Sequence, residues 1–382
     1  MTLNRFPLLK TIFCLVLVAI TITTITGLKP APQPGAYLQL QDQHIALSSK
    51  EFYIASVIDE RSNPGIIGKL VQAGGMPAKA PEVVSASIKG GSAALKNYLI
   101  RGLPSNKNLR AVTLRIKAID LAEKPVANGM AQGSIRVALD FGLIYDDEFT
   151  RLDSYEAEST YQRKAGGAQQ AEPLLRTALD NSLIYINKWI DSQANNNIAL
   201  AKAVKISFSN YTENTEGDTI YYNIDRPLKW ADFKDRPRNN KYGAEVFASL
   251  GYNEDVKLVK GIFQIKIDLK IYAAKSACWA KPEAMDDYGL NHEQRHFDIV
   301  KIVAEHFRQN LLNIKYDPRN YDGPINVAYL DALREIDSLQ KQYDGETAHS
   351  RNTWQQEQWN NRIDKELQQL GIKPVTAQAA FK

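Results

Sequence analysis

The stretch Leu290–Asn291–His292–Glu293–Gln294–Arg295–His296–Phe297–Asp298 decides how the C-terminal half of this 382-residue chain is read. Apolar residues continue beyond it at helical spacing, at Phe297, Val300, Val303 and Phe307, so the pattern predicts a helix from about Tyr288 to Leu312. On that helix His292 and His296 lie one turn apart on the same face, about 40° and about 6 Å from each other. Two imidazoles so placed can share one Zn2+, with Glu293 beside it to accept a proton from water, which is the H-E-x-x-H arrangement of zinc peptidases. Such helices usually keep the two positions between the histidine pair's Glu and its second His uncharged. Here the second is Arg295, and Asp298 follows, so both are expected on the outer face of the helix, away from the metal.

A tetrahedral site with one position left to water needs a third protein ligand. His306 shares the helix face but stands about 15 Å along the axis from His296, outside one coordination sphere. A metzincin spacing would place a histidine at 302, which is Ile302. His349 is the expected third ligand, delivered by a turn over Tyr343–Asp344–Gly345–Glu346–Thr347–Ala348–His349–Ser350, with Glu346 and Glu335 as alternatives. Tyr343 and Arg351, flanking that turn, are candidate stabilisers of an oxyanion.

These residues also carry a resemblance. The run Leu290–Ile299, Trp230–Ala231–Asp232–Phe233, Lys275–Ser276 with Trp279, and Tyr343–Asp344 with Glu346, Thr347 and His349 occur in one order. Over roughly 205–370 the chain resembles a bacterial domain family of unknown function described as predicted secreted zinc-dependent proteases. The resemblance implies a zincin-like domain acting on a peptide or protein substrate; Arg295 stands where that family often has a small residue.

Composition bounds the rest. An apolar fraction of 44% with 24% charged residues suits globular domains with real cores, and the length suggests two of them. The net charge of +4, without a basic stripe interleaved with aromatics, argues against a nucleic-acid partner. Arg5 and Lys10 precede an uncharged apolar run over 11–28, which reads as a signal peptide or a membrane anchor and predicts export to the periplasm or beyond. Without Cys14 in that leader, Cys278 stands alone, is expected in the core, and leaves no intrachain disulfide.

Expected boundaries are a leader over 1–28, an N-terminal α/β sandwich over 29–191, a zincin-like α+β domain over 198–373 and a flexible tail over 374–382. In the first domain Val112, Leu114 and Ile116, and then Ile135 to Leu143, alternate with polar residues as strands of a sheet with one wet face. A helix over 172–191 follows, and nothing in this half resembles a nucleophile elbow, phosphate loop or metal cluster; His44 reads as an ordinary surface histidine. The domain is expected to dock an envelope protein, to dimerise, or to act as a spacer. Ser192–Asn197, with three consecutive asparagines, reads as a linker. Phe263 to Ile271 give the strongest strand signal, and either it or Ala244–Leu250 is expected to pair with an extended peptide. Helices over about 326–343 and 352–370 complete an overall α+β chain. The alternative function is a non-catalytic envelope module whose metal is structural or lost.

Overall fold

The computed structural model describes residues 35–374 apart from 44–45, 75–79, 213–216 and 238–240. The leader, His44 and the tail beyond Pro374 lie outside the described residues. Helix and strand account for 37% and 36% of the chain, and among the described residues the sheets are open with no barrel, an α+β fold.

Alternation of apolar and polar residues builds the first sheet. Its strands are β1 (Ala36–Leu38), β2 (Phe52–Asp59), β3 (Gly68–Gln72), β4 (Glu82–Ile88), β5 (Arg110–Val126), β6 (Met130–Tyr145) and β7 (Glu148–Lys164). The order is β1-β4-β3-β5-β6-β7, with β2 parallel to the first half of β5. Val112, Leu114, Ile135, Val137 and Phe141 bury against Leu95 and Leu99 of α1 (Gly91–Arg101) and against Leu175, Leu179, Leu183 and Ile186 of α2 (Glu172–Gln193). The alternate residues carry a ladder of charge: Arg136 donates to Asp120 on β5 and Glu156 on β7, and Lys117 to Glu60. Cross-strand pairs of opposite sign keep that face in water while fixing register.

Asn195–Asn197 do not form a slack linker. The amides of Asn196 and Asn197 donate to Gln193 O, the Asn197 side chain accepts from Ala199 N–H, and Asn195 O accepts from Gly261 N–H. The Asn197 side-chain oxygen and these backbone bonds hold a tight turn that the sequence alone leaves looking loose.

Beyond it come β8 (Ala203–Asn210), β9 (Thr219–Tyr221), β10 (Ala244–Glu245), β11 (Ala248–Val259), β12 (Ile262–Ala274) and β13 (Trp279–Ala280), then α3 (Asp287–Asn313), α4 (Asp322–Thr347) and α5 (Thr353–Gln369). β12 is the spine of the second sheet, antiparallel to β11 on one side and bounded by β8 and β9 on the other. With both edges paired it has no free backbone for a peptide. β10 pairs only with β13 among the described residues. Phe263, Ile265, Ile267, Leu269 and Ile271 share a core with Phe297, Val300, Val303 and Phe307 of α3. The other side of α3 offers Ile299 and Ile302 to Tyr343, Trp359, Ile363 and Leu367 of α4 and α5. Residues 292–304 are consequently buried without a break.

α4 starts earlier and ends later than the sequence pattern suggests. Pro324 is tolerated in its first turn, and Tyr343 and Thr347, both fully buried, hold the last turn on the core although Gly345 lies between them. The expected eight-residue turn thus shrinks to Ala348–His349–Ser350, all three in the left-handed region with φ of 50°, 50° and 65°.

Candidate metal centre

The entry of α3 sets the site's position. The Asp286 carboxylate caps the helix by accepting from Gly289 N–H at 2.7 Å. A Cβ at Gly289 would stand 2.6 Å from Ala284 O and 3.4 Å from the Trp230 ring, so only glycine lets the preceding loop close here. Trp230 donates its indole N–H to Asp286 O at 3.1 Å and packs on Phe233, an anchor for the helix start rather than a cavity residue.

One turn on, the rings of His292 and His296 stand edge to face with centroids 5.0 Å apart. Their Nε2 atoms meet Asp344 Oδ1 at 3.2 and 3.0 Å. The three side chains form a group that could hold a metal ion. The donor set fits one: ligand atoms around a tetrahedral ion with bonds of roughly 2.0–2.1 Å stand about 3.3 Å apart. Burial alone would raise the Asp344 carboxyl, but the two imidazoles outweigh it and hold that carboxyl far below the usual range. Burial disfavours the His292 cation, yet Asp344 and Glu293 raise its pKa. Glu293 is wholly buried, and burial holds its carboxyl above the usual range despite both imidazoles and the Val246 N–H, which donates to Oε2 at 2.8 Å. These groups open on a cavity of about 430 Å³ walled by residues 242–246, Gln340, Lys341, Asp344 and His349.

Asp344, not His349, supplies the third convergent ligand atom. His349 lines the same cavity, but its Nδ1 lies 3.5 Å from Asp344 Oδ2 and its ring stacks on Tyr242 at 4.1 Å between centroids. Both alternative ligands are engaged elsewhere: Glu346 accepts from Trp359 Nε1 at 2.8 Å, and Glu335 meets His306 Nδ1 at 2.8 Å, with Glu366 on the far side of that ring. The oxyanion roles expected of Tyr343 and Arg351 do not fit the geometry. Tyr343 is fully buried, stacks on His292 at 4.7 Å and donates its hydroxyl to His292 O, while Arg351 donates to Ala348 O outside the cavity wall. Cys278 is a core thiol, pushed up to about 11 by burial, with Sγ accepting from Phe247 N–H.

Arg295 and Asp298 are not on an outer face, because α3 has helices or sheet on all sides at this level. Arg295 turns away from the imidazoles to Asp298 at 3.0 Å and Asp364 at 2.6 Å, and Asp298 also accepts from Tyr222 and Gln294. The sequence reading missed Asp344 although it lies inside a quoted motif. Ile336, Leu339, Tyr343 and Thr347 continue the helical spacing and would have carried α4 through it. It also missed Gln356 and Asn360 of α5, for which no motif speaks.

No protein-family model matches the chain, and no curated protein matches it. Among solved structures, the crystal structure of protein XCC0632 from Xanthomonas campestris, in family DUF330, is similar with a TM-score of 0.25 and 10% identity, covering 42% of this chain and 97% of that one. A likeness at that level carries no argument about fold or function.

Proposed function

We propose that the chain is a zinc-dependent peptidase. The observation that carries this is the convergence of His292 Nε2, His296 Nε2 and Asp344 Oδ1 on the wall of a cavity that also holds the Glu293 carboxylate. Neutral imidazoles with one carboxylate are a donor set zinc accepts readily. A zinc ion bound there would supply Lewis acidity, polarising a scissile carbonyl and easing the ionisation of water. Glu293 is the group placed to take the proton and return it to the leaving amine nitrogen.

The substrate's backbone has a partner in β10. Lys281 N–H donates to Gly243 O, and Ala244 pairs with Ala280 in the antiparallel register. In such a ladder alternate residues turn their polar groups outward. The N–H and C=O of Ala244 therefore point away from β13, to the side where Val246 N–H meets Glu293. An extended peptide would add there as a further strand, its carbonyl brought to the metal-binding group.

On the strength of the 11–28 leader the enzyme is proposed to work outside the cytoplasm, with the first domain docking it to an envelope protein. Among the described residues no helix is long and apolar enough to cross a membrane, so anchoring is proposed for the leader alone. The test pairs metal content with cleavage of a mixed peptide library. The unaltered protein is expected to hold one zinc and cleave, and Glu293→Gln to keep the zinc while turnover falls about 10²–10⁴-fold. Zinc retained with no cleavage by the unaltered protein would favour a structural metal.

A further inference from the structure

The buried Arg295 and Gln356 and the half-buried Asn360, behind His292, are arranged with only one self-consistent polarity. Arg295 is the fixed end, since a guanidinium carries donors and no acceptor. Its Nε donates at 3.1 Å to Asn360, which must therefore present Oδ1. The same oxygen accepts from Asn291 Nδ2 at 3.1 Å and from Gln356 Nε2 at 3.1 Å. Gln356 is 1% exposed, so its amide is orientated by these neighbours and not by water. With its NH2 turned to Asn360, and to the Tyr343 hydroxyl at 2.6 Å, its Oε1 faces His292 Nδ1 at 2.9 Å. The Tyr343 hydroxyl then has its proton free for His292 O. Turning the Gln356 amide over would set its oxygen against Asn360 Oδ1 and point a donor at the imidazole.

Given the metal site proposed above, we infer that Arg295, Asn360 and Gln356 form a polarity relay that keeps the His292 proton on Nδ1 and leaves the Nε2 lone pair for the metal. Gln356 is the positioning residue in contact with the ligand, and Arg295 sets the direction of the whole chain. An arginine at this place in the H-E-x-x-H helix thus serves the site from behind without entering it. Outer partners of this kind fix the tautomer and ring orientation of metal-ligating histidines.

Removing Arg295 would strand the buried Asp298, so the test uses the other two members. Zinc affinity is measured by competition with a chelator on the full chain, with thermal melting to confirm that each variant is folded. Gln356→Leu removes the acceptor and is expected to lower affinity roughly 10–100-fold. Gln356→Glu keeps an acceptor at His292 Nδ1 whichever way it turns, although its second oxygen then faces Asn360 Oδ1, and is expected to lose less affinity than Gln356→Leu. Asn360→Leu frees the Gln356 amide to turn, so it should weaken zinc binding in the natural background and cause no further loss in the Gln356→Glu background. In the zinc-loaded protein the His292 Nδ1–H proton resonance should move when Gln356 becomes Glu, a response that packing alone does not produce. Equal losses from Asn360→Leu in both backgrounds, or a Gln356→Leu protein that binds zinc like the unaltered chain, would overturn the relay while leaving the metal site standing. A chain that takes up no zinc at all would remove the metal site and the relay together.

Discussion

Asp344 and His349 divide between them a role that the sequence assigns to one residue. Asp344 sits on the last turn of α4 with an oxygen 3.0–3.2 Å from both imidazole Nε2 atoms. His349 comes five residues later, after the backbone has turned left-handed, and its ring rests on Tyr242 at the cavity wall. The distinction is measurable. Asp344→Ala is expected to lower zinc affinity by more than the roughly 10–100-fold typical of losing an outer partner, whereas His349→Ala should hold zinc within about threefold of the unaltered protein. Stoichiometry and chelator competition on the two variants check this; a His349→Ala protein that releases its zinc would restore His349 to the ligand set. At this scale the legible part of the site is what helical geometry fixes locally. His292, Glu293 and His296 occupy neighbouring positions on one helix, so their spacing is enough. Asp344 arrives from 48 residues away, and its place depends on how far α4 runs before it stops. Gln356 and Asn360 are polar residues on a glutamine-rich helix that reads as solvated, and only the packing of α5 on α3 gives them their work.

Helix ends and strand edges decide what the elements can do. β12 has the strongest alternation in the chain, and that same alternation makes it an interior strand, paired on both sides and closed to a peptide. Of the expected strand Ala244–Leu250, the first two residues form β10, and they lie along the cavity. Sequence periodicity reports burial, so it singles out β12 and leaves a short, half-exposed edge such as β10 only as its alternative. The close of α4 is similar: Gly345 and the small polar residues around it suggest a turn, but the buried Tyr343 and Thr347 side chains keep the backbone helical to Thr347. What remains is Ala348, at the helix C-terminus with φ +50°, its N–H donating back to Gly345 O and that of His349 to Asp344 O at 3.0 Å. Glycine is the residue usually found in this left-handed cap. A Cβ there costs about 1–2 kcal/mol, and glycine's greater freedom in the unfolded chain offsets about 0.5–1 kcal/mol of the relief. Ala348→Gly is therefore expected to raise stability by about 0.5–1 kcal/mol in urea unfolding, with zinc affinity unchanged. A loss of stability would mean that the Cβ makes a contact worth more than the strain.

Over the whole molecule the described residues form two large sheets with separate cores, and the small β10–β13 pair beside the cavity. One core runs from Ala36 to Leu200, and the other is shared by β12, α3 and the helices that follow. The contacts across the junction include the Lys202–Glu51 ion pair, Gly261 N–H donating to Asn195 O, and the Arg319 guanidinium over the Tyr145 ring. Apolar surface gives cooperative stability and exposed ion pairs give little, so the two cores are expected to respond independently when one is weakened. The loop after β2 provides a lever confined to the first core. Arg61 grips the Asp59 carboxylate at 2.8 Å through both Nε and Nη2, holds Pro64 O at 3.0 Å, and Ser92 Oγ donates to the same carboxylate at 2.7 Å. Burial of Asp59 works against its charge, but the Arg61 and Ser92 hydrogen bonds prevail and bring its pKa down to about 2. A carboxyl depressed in the folded state gives its full stabilisation above the unfolded value of about 3.9 and loses it as pH falls through the folded one. Arg61→Ala should accordingly cost roughly 1–2 kcal/mol at neutral pH, after allowing for solvent around the loop. That cost should shrink steadily between pH 4 and about pH 2, the direction opposite to a histidine pair. Hydrogen–deuterium exchange of the first-core strands β2, β5 and β6, set beside zinc release at neutral pH, gives the decisive comparison; tryptophan fluorescence would not, because four of the five tryptophans lie in the second half. The variant should speed exchange in the first core and leave zinc release where it is; a common shift of both signals would show that the junction couples the halves into one unit.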